Sequence, residues 1–299
     1  MGFYNEDIKN NYINENKQSS DVAKKAKSLF VNSAPSELKF NKDIFDFNKE
    51  EALELLRNYN QRTMLSLAHI KSRLSTYTNW AIKKGLTKSN QNVWTALEID
   101  SKMIVDKASN TLIKDRKEFI KLIDKYCDHA YRRLVLLMLY EGCMGREYSE
   151  IRFTLDEDLD IENKRLRLLR DGKDFYLPVS REFISAYKAS FDFNQFDKKG
   201  SPYLIKNRVK GKALSKNVIN HYVQHFANAI AKETGNKPEY TAVSIWKSGM
   251  YNYILDKERV YGYITNDILS DASKMYGYNI DELSLLRREY NLYKDAFKF

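Results

Sequence analysis

The clearest periodic signal in the chain is TMLSLAHIKSRLSTYTNWAIKKG, residues 63–85. Ile70, Leu74, Tyr77 and Ala81 recur at spacings of four, three and four, which places them on one face of an α-helix. Gly85 stops that helix, and Lys83 and Lys84 fall in its last turn, where the helix dipole favours cations. Ser66, His69, Arg73 and Thr76 form a separate polar stripe without an acid. Just upstream, NKEEALELLRNYN opens on Asn48 as an N-cap, with Glu50 and Glu51 in the first turn. Residues 1–45 are polar and rich in Asn and Lys, with a short helical candidate at 20–31 and NSAPSELKFN reading as a linker. Downstream, NVWTALEIDSKMIVDKA and the stretch to Ile113 read as helical. KDRKEFIKLIDKYCDHAYRRLVLLMLYEG follows as one or two helices ending at Gly142, with the apolar run Leu134–Tyr140 marking a buried helix.

The period then changes. KRLRLL and DFYLPVS are short runs separated by RDGK, whose Asp171-Gly172 pair is a two-residue hairpin signal. Helices are expected at about 181–190, 215–234, 242–255, 267–276 and 280–297, with the basic loop KNRVKGKALSK between the first two. The pattern predicts a mainly α, two-domain protein with one small antiparallel β-hairpin. Its expected parts are a polar segment at 1–45, a smaller helical domain at 46–114 and a larger domain at 115–299. With 11 Gly and 4 Pro, the chain holds too few turn formers for an all-β fold. The run Leu134–Tyr140 is too short to cross a membrane, and the first twenty residues lack the apolar core of a signal peptide, so an intracellular, cytoplasmic protein is expected. Cys127 and Cys143 read as small buried residues of a reducing compartment. His221 and His225 share a helical face but have no acidic or Cys partner nearby, so neither a metal nor another cofactor is expected.

Charge sharpens the reading. The net charge is +10, and two windows hold the excess. From Arg57 to Leu97 there are seven basic residues, among them Arg62, Lys71, Arg73, Lys83 and Lys84, and no Asp or Glu. From Lys198 to Lys232 there are eight, among them Lys206, Arg208, Lys210, Lys212 and Lys216, again without an acid. Two such windows suggest two surfaces on one polyanion, and double-stranded DNA is the expected partner. His69 and Thr76 join the candidate contacts, because a stripe of Ser, His, Arg and Thr can bond phosphates and base edges. The bland alternatives are a solvated basic face and a helical protein-interaction module.

The order of these elements, and in particular LLMLYEGCMGREYSEIRFTLDEDLDIENKRLRLL, resembles the tyrosine recombinases, or phage integrases. In that family a buried helix ends in Gly, an Arg follows, and a Ser-Glu-aliphatic triplet opens the next helix. Here the triplet is Ser149, Glu150 and Ile151. The resemblance runs from about Asn48 to the C-terminus. It implies a helical DNA-binding domain joined to a catalytic-like domain near Ile113 to Lys117. It also implies a chemistry in which a Tyr attacks a DNA phosphate, two Arg clamp the charge of the transition state, and a His and a Lys move protons.

Carried over residue by residue, that machinery is broken. The family's His-x-x-Arg helix corresponds to AVSIWKSGMYNYI, with Val243 at the His, Trp246 at the Arg and Lys247 next to it. Val243 cannot transfer a proton, and Trp246 offers one indole donor and no charge. Arg146 stands three residues before Ser149 where the family's Arg stands two before, and Glu147 takes that place. Lys173 fits the hairpin Lys, Tyr278 stands where a His is expected, and Tyr290 or Tyr293 fits the nucleophile. Losing one preorganised donor costs about 10²- to 10³-fold in rate. The expectation is therefore no catalytic residue, with Lys247 joining the DNA contacts. The implied function is a sequence-specific repressor, like the integrase-like lysis–lysogeny repressors of SP-beta-group phages, acting on an operator with room for self-association or a regulatory protein partner. The alternative is an active, divergent recombinase in which Lys247 replaces the Arg and Tyr290 attacks.

Overall fold

The computed structural model describes residues 2–16, 20–59, 64–99, 108–192, 201–206 and 212–299. Two packed units divide the chain, Met1–Lys107 and Ala108–Phe299. In the first, the helices are α1 (Glu6–Glu15), α2 (Ser20–Phe40), α3 (Lys49–Asn58), α4 (Met64–Lys83) and the single turn α5 (Val93–Ala96). The periodic stripe is the core face of α4: Leu74, Tyr77 and Ala81 are fully buried and Ile70 nearly so. Asn48 caps α3 in a reciprocal capping box with Glu51.

The N-terminal residues depart from expectation. They are not a polar appendage but a large part of this unit's core. Phe30 and Tyr12 meet the Tyr77 ring edge to face, with centroids 4.8 and 5.0 Å away. The supposed linker NSAPSELKF lies inside α2, with Pro35 in the helix interior. Proline there loses a backbone donor and crowds the preceding turn. Burial of Phe30, Ala34 and Glu37 on the same helix offsets that cost. Of the helix expected from Asn92 onward, Leu97 to Ile99 are not helical, and Trp94 and Leu97 plug the core instead. The continuation of that expected helix, 100–107, lies outside the described residues.

One polar network lies inside this core. Lys9 donates to both carboxylate oxygens of Glu37 at 2.5 Å and lies 3.9 Å from Asp43. All three side chains are essentially fully buried. Burial pushes the Glu37 carboxyl up to about 7, with Asp43 adding to the push against the opposing pull of Lys9. Two carboxylates facing one ammonium hold one negative charge too many, and a shared proton relieves it.

The second unit is built around α7 (Ala130–Glu141), preceded by α6 (Arg116–Tyr126). Leu134 to Leu139 are all fully buried, as the unbroken apolar run requires. The hairpin forms as expected from β2 (Arg165–Arg170) and β3 (Lys173–Pro178), with Asp171 and Gly172 at φ 50° and 74° in the turn. A short β1 (Leu159–Asp160) adds a third antiparallel strand in the order β1-β2-β3. The remaining helices are α8 (Ser149–Arg152), α9 (Arg181–Asp192), α10 (Lys216–Thr234), α11 (Ala242–Tyr261), α12 (Asn266–Tyr276) and α13 (Leu283–Phe297). α9 and α11 both pack on α7. At the α11 contact Gly249 is obligatory, since a Cβ there would lie 1.8 Å from the Tyr140 carbonyl oxygen. Cys127 and Cys143 are buried free thiols. Among the described residues, no helix is long and apolar enough to cross a membrane.

Candidate functional site

The positions matched to the recombinase machinery lie in the second unit, around the end of α7. A side-chain hub of this unit is Arg170, the last of β2, which no sequence motif singles out. Its Nε donates to Glu150 Oε1 at 2.7 Å and its Nη2 to Glu150 Oε2 at 3.0 Å. The same guanidinium donates to the carbonyls of Gly142, Lys274 and Met275 at 2.8–2.9 Å, and it lies over the Phe175 ring. Glu150 also accepts from the Met144 amide at 2.8 Å. One partly buried arginine thus ties together the exit of α7, the start of α8, the hairpin and the last turn of α12. Five donors in a fixed fork suit such a hub, and a Lys could not replace it. Nothing in the local sequence signals this, because the partners lie up to a hundred residues away.

Beside this hub stands the helix α11. Thr241 caps it by accepting from the Ser244 amide. Val243 is 46 % exposed on its first turn, whereas Trp246 is 7 % exposed. The Trp246 indole donates to the Tyr276 carbonyl at 3.2 Å, meets the Tyr276 ring edge on and stacks on Tyr278. Trp246 is therefore a core residue that joins α11 to the end of α12. Tyr278 is half-buried, and burial, then Glu289 and Glu282, push its hydroxyl up.

Lys247 is placed differently from the expectation. Its ammonium donates to both oxygens of Glu289 on α13 at 2.7 and 2.8 Å, and Tyr251 donates to the same carboxylate at 3.0 Å. It is an interhelix tie rather than a displayed cation. Tyr290 and Tyr293 are both fully buried. Tyr290 donates to Glu258 at 2.6 Å, and Tyr293 donates to the Lys114 carbonyl. Burial and the Glu258 carboxylate push the Tyr290 hydroxyl up, so forming a phenolate there is harder than in water. Arg146 and Lys173 are exposed.

The two basic windows divide on inspection. On α4, His69, Arg73, Thr76 and Lys83 are exposed on one continuous helix surface. Lys71 donates to the Leu97 carbonyl at 2.5 Å, and Lys84 pairs with Glu15 at 2.9 Å. In the second window Lys206 is buried against Asp156 and the Ser201 carbonyl, so it holds the loop and cannot serve as a displayed contact. Lys212 and Lys216 are exposed. Arg62, Arg208 and Lys210 lie outside the described residues.

A second polar stripe, which charge counting misses, stands on α10. Asn217, Asn220, His221, Gln224, His225 and Asn228 are all exposed, and the helix carries no acid until Glu233. His221 and His225 belong to this stripe. Among the described residues no group of three metal-binding side chains occurs, and His225 lies 3.0 Å from an Arg132 nitrogen. The signal is present in the sequence as spacings of three and four between polar residues, but polar periodicity is informative only once the opposite face is known to be core. Here that face is Ile219, Val223, Phe226 and Ile230.

Comparison with known proteins gives a consistent family assignment. Residues 3–83 match the model for the MrpR N-terminal core-binding domain, and residues 114–294 match that for the MrpR C-terminal catalytic domain. An SPbeta prophage-derived uncharacterized protein, YopR of Bacillus subtilis (strain 168), is 25% identical over 308 residues, covering 98% of this chain and 83% of that protein. Among solved structures, a lambda integrase dimer bound to a core site has a TM-score of 0.46 at 15% identity, covering 94% of each chain. The Tn1549 transposon integrase with circular intermediate DNA has a TM-score of 0.43 at 12% identity, also covering 94% of each chain. With both models matched in order along the sequence, this chain belongs to the MrpR family.

Proposed function

We propose that this protein is a double-stranded DNA-binding repressor of a temperate phage that recognises a specific operator and does not cut it. The observation that carries the reading is the state of α11. Where the integrase resemblance calls for a proton-transfer group and a phosphate clamp, it has an exposed Val243 and a buried Trp246. The prophage origin of the YopR relative supports the phage context.

Binding follows from the two displayed faces. Arg73 and Lys83 on α4, with Lys212 and Lys216 near the start of α10, supply phosphate contacts that position the protein but carry no sequence information. The α10 stripe supplies what they lack. Asn and Gln pair bidentately with adenine in the major groove, and His offers a donor or an acceptor. An exposed helix face of such side chains, free of acids, suits base reading better than any basic patch alone.

The alternative of an active recombinase is disfavoured by specific contacts. It needs Lys247 at the phosphate, but Lys247 is neutralised by Glu289. It needs the Tyr290 hydroxyl exposed, but that group is buried on Glu258. The test is to select genomic fragments bound by the protein, then measure their affinity across a salt series. A linear fall of log affinity with log salt, and a selected sequence bound well above random duplex, support the reading. Equal affinity for selected and random fragments overturns the specificity claim, and absence of binding overturns the whole.

A further inference from the structure

The segment between α7 and α8 is strained. Gly145, Glu147 and Tyr148 all have positive φ, and Glu147 (φ 53°, ψ 34°) and Tyr148 (φ 63°, ψ 32°) are consecutive left-handed residues. For an L-residue other than Gly, and especially for a bulky aromatic, this conformation is costly and persists only where surrounding contacts impose it. A residue larger than Gly at 145 would also clash, its Cβ falling 2.2 Å from Ser149 Oγ.

Side-chain contacts tie this segment to α10 and to the residues just before it. Lys216 donates to Glu147 at 2.8 Å, and the Tyr148 hydroxyl donates to the Asn220 side-chain carbonyl oxygen at 2.8 Å. Arg152, on the helix that follows, donates to the Leu214 carbonyl at 2.7 Å and lies 3.9 Å from Glu147. Lys216 and Asn220 are four residues apart on the first exposed turns of α10, within the surface assigned above to DNA. A Lys in the first turn opposes the helix dipole, and Ser215 makes no side-chain capping bond there. Lys216 therefore does not serve the stability of α10 by its position.

We propose that the Gly145–Ser149 loop is a built-in competitor for the DNA-facing surface of α10. The Glu147 carboxylate stands in for a phosphate on Lys216, and the Tyr148 hydroxyl occupies the amide with which Asn220 would read a base. DNA displaces both, and release of the two left-handed residues contributes to the exchange. The ion pair is half-exposed on both sides, so it is weak enough to be displaced and is screened by salt. The loop thus raises the threshold for binding, and penalises random sequence more than an operator that fully engages Asn220. This inference rests on α10 facing DNA.

The test uses the full chain and two labelled duplexes, one of random sequence and one selected from bound genomic fragments, with affinity read by fluorescence anisotropy. Glu147→Gln should tighten binding to random duplex by about two- to fivefold, the scale of an exposed ion pair. Tyr148→Phe, which changes no charge, should tighten it as well. In a Lys216→Gln background the gain from Glu147→Gln should vanish, which separates competition for Lys216 from the general loss of an acid near DNA. Weaker or unchanged binding by both single variants overturns the proposal and makes the loop a scaffold that positions α10. A gain that persists in the Lys216→Gln background overturns it equally. If the wild-type chain binds neither duplex, it is the DNA-binding reading that fails.

Discussion

Replacing Trp246 by Ala tests whether the position matched to a catalytic Arg has become part of the core. The side chain is 7 % exposed and packs on Tyr276 and Tyr278. Truncating a buried Trp costs about 3–5 kcal/mol through lost burial and the cavity left behind. Loss of its hydrogen bond leaves the Tyr276 carbonyl without that donor, which adds about 1 kcal/mol where water cannot enter. The distribution of tryptophans makes the assay selective. Trp80 and Trp94 lie in the first unit, and Trp246 is the second unit's only one. In a denaturant titration, Trp fluorescence of the variant then reports the first unit alone, while far-UV circular dichroism reports both. The fluorescence transition should stay with that of the first unit in the wild type, and part of the dichroism signal should move to lower denaturant. A shift below about 1 kcal/mol, far under the scale of a buried Trp, would show that Trp246 is not a core residue and would reopen a functional role for it. Trp246→Arg should destabilise the second unit at least as much, because it buries an unpaired charge there.

Further outcomes follow from other parts of the structure. Tyr290→Phe and Tyr293→Phe should each cost about 0.5–1.5 kcal/mol, the net worth of one hydrogen bond, because Glu258 keeps its bonds from Lys294 and the Lys114 carbonyl keeps Asn252, yet leave DNA affinity unchanged within error. A selective loss of binding at full stability would contradict this. Arg73→Gln with Lys83→Gln should lower affinity and flatten the salt dependence by about one unit of slope for each phosphate no longer neutralised. An unchanged slope removes the α4 face from the interface. The first unit should lose stability as pH rises through neutrality. The folded Glu37 carboxyl titrates near 7 and an unfolded one at about 4.3, so between those values the folded state binds more protons. Stability from this group is then present below the unfolded value and lost as pH rises through about 7. Thermal melts of the wild type and of Asp43→Asn check it: the variant should show the flatter pH dependence, and equal slopes would refute the account of the buried network.

What can be read from the sequence, and what cannot, follows from the range of the interactions. The hairpin is legible because Asp171-Gly172 encodes its own turn, and α4 because four core residues repeat within about a dozen positions. The exposed Val243 and the buried Trp246 lie within one turn of one helix, so a local motif reaches both. Residues 1–45 mislead because their core contribution rests on three separated pairs, Tyr12 with Ile13, Leu29 with Phe30 and Ile44 with Phe45, within an Asn- and Lys-rich background, and because Pro35 signals an interruption that tertiary burial overrides. Lys206 and Lys247 look like displayed cations because their partners, Asp156 and Glu289, are about forty to fifty residues away in sequence. Arg170 is invisible for the same reason. The α10 stripe escapes notice because Asn, Gln and His carry no charge signal.

The central claim, a recombinase-like chain that holds DNA without cutting it, is tested most directly on a nicked suicide duplex carrying the selected sequence, where any attack by a Tyr would be trapped as a covalent adduct. The account predicts a salt-sensitive complex that dissociates completely in denaturing detergent, with no adduct for the wild type. A covalent protein–DNA species that disappears in Tyr290→Phe or Tyr293→Phe would contradict it and make the protein an active recombinase.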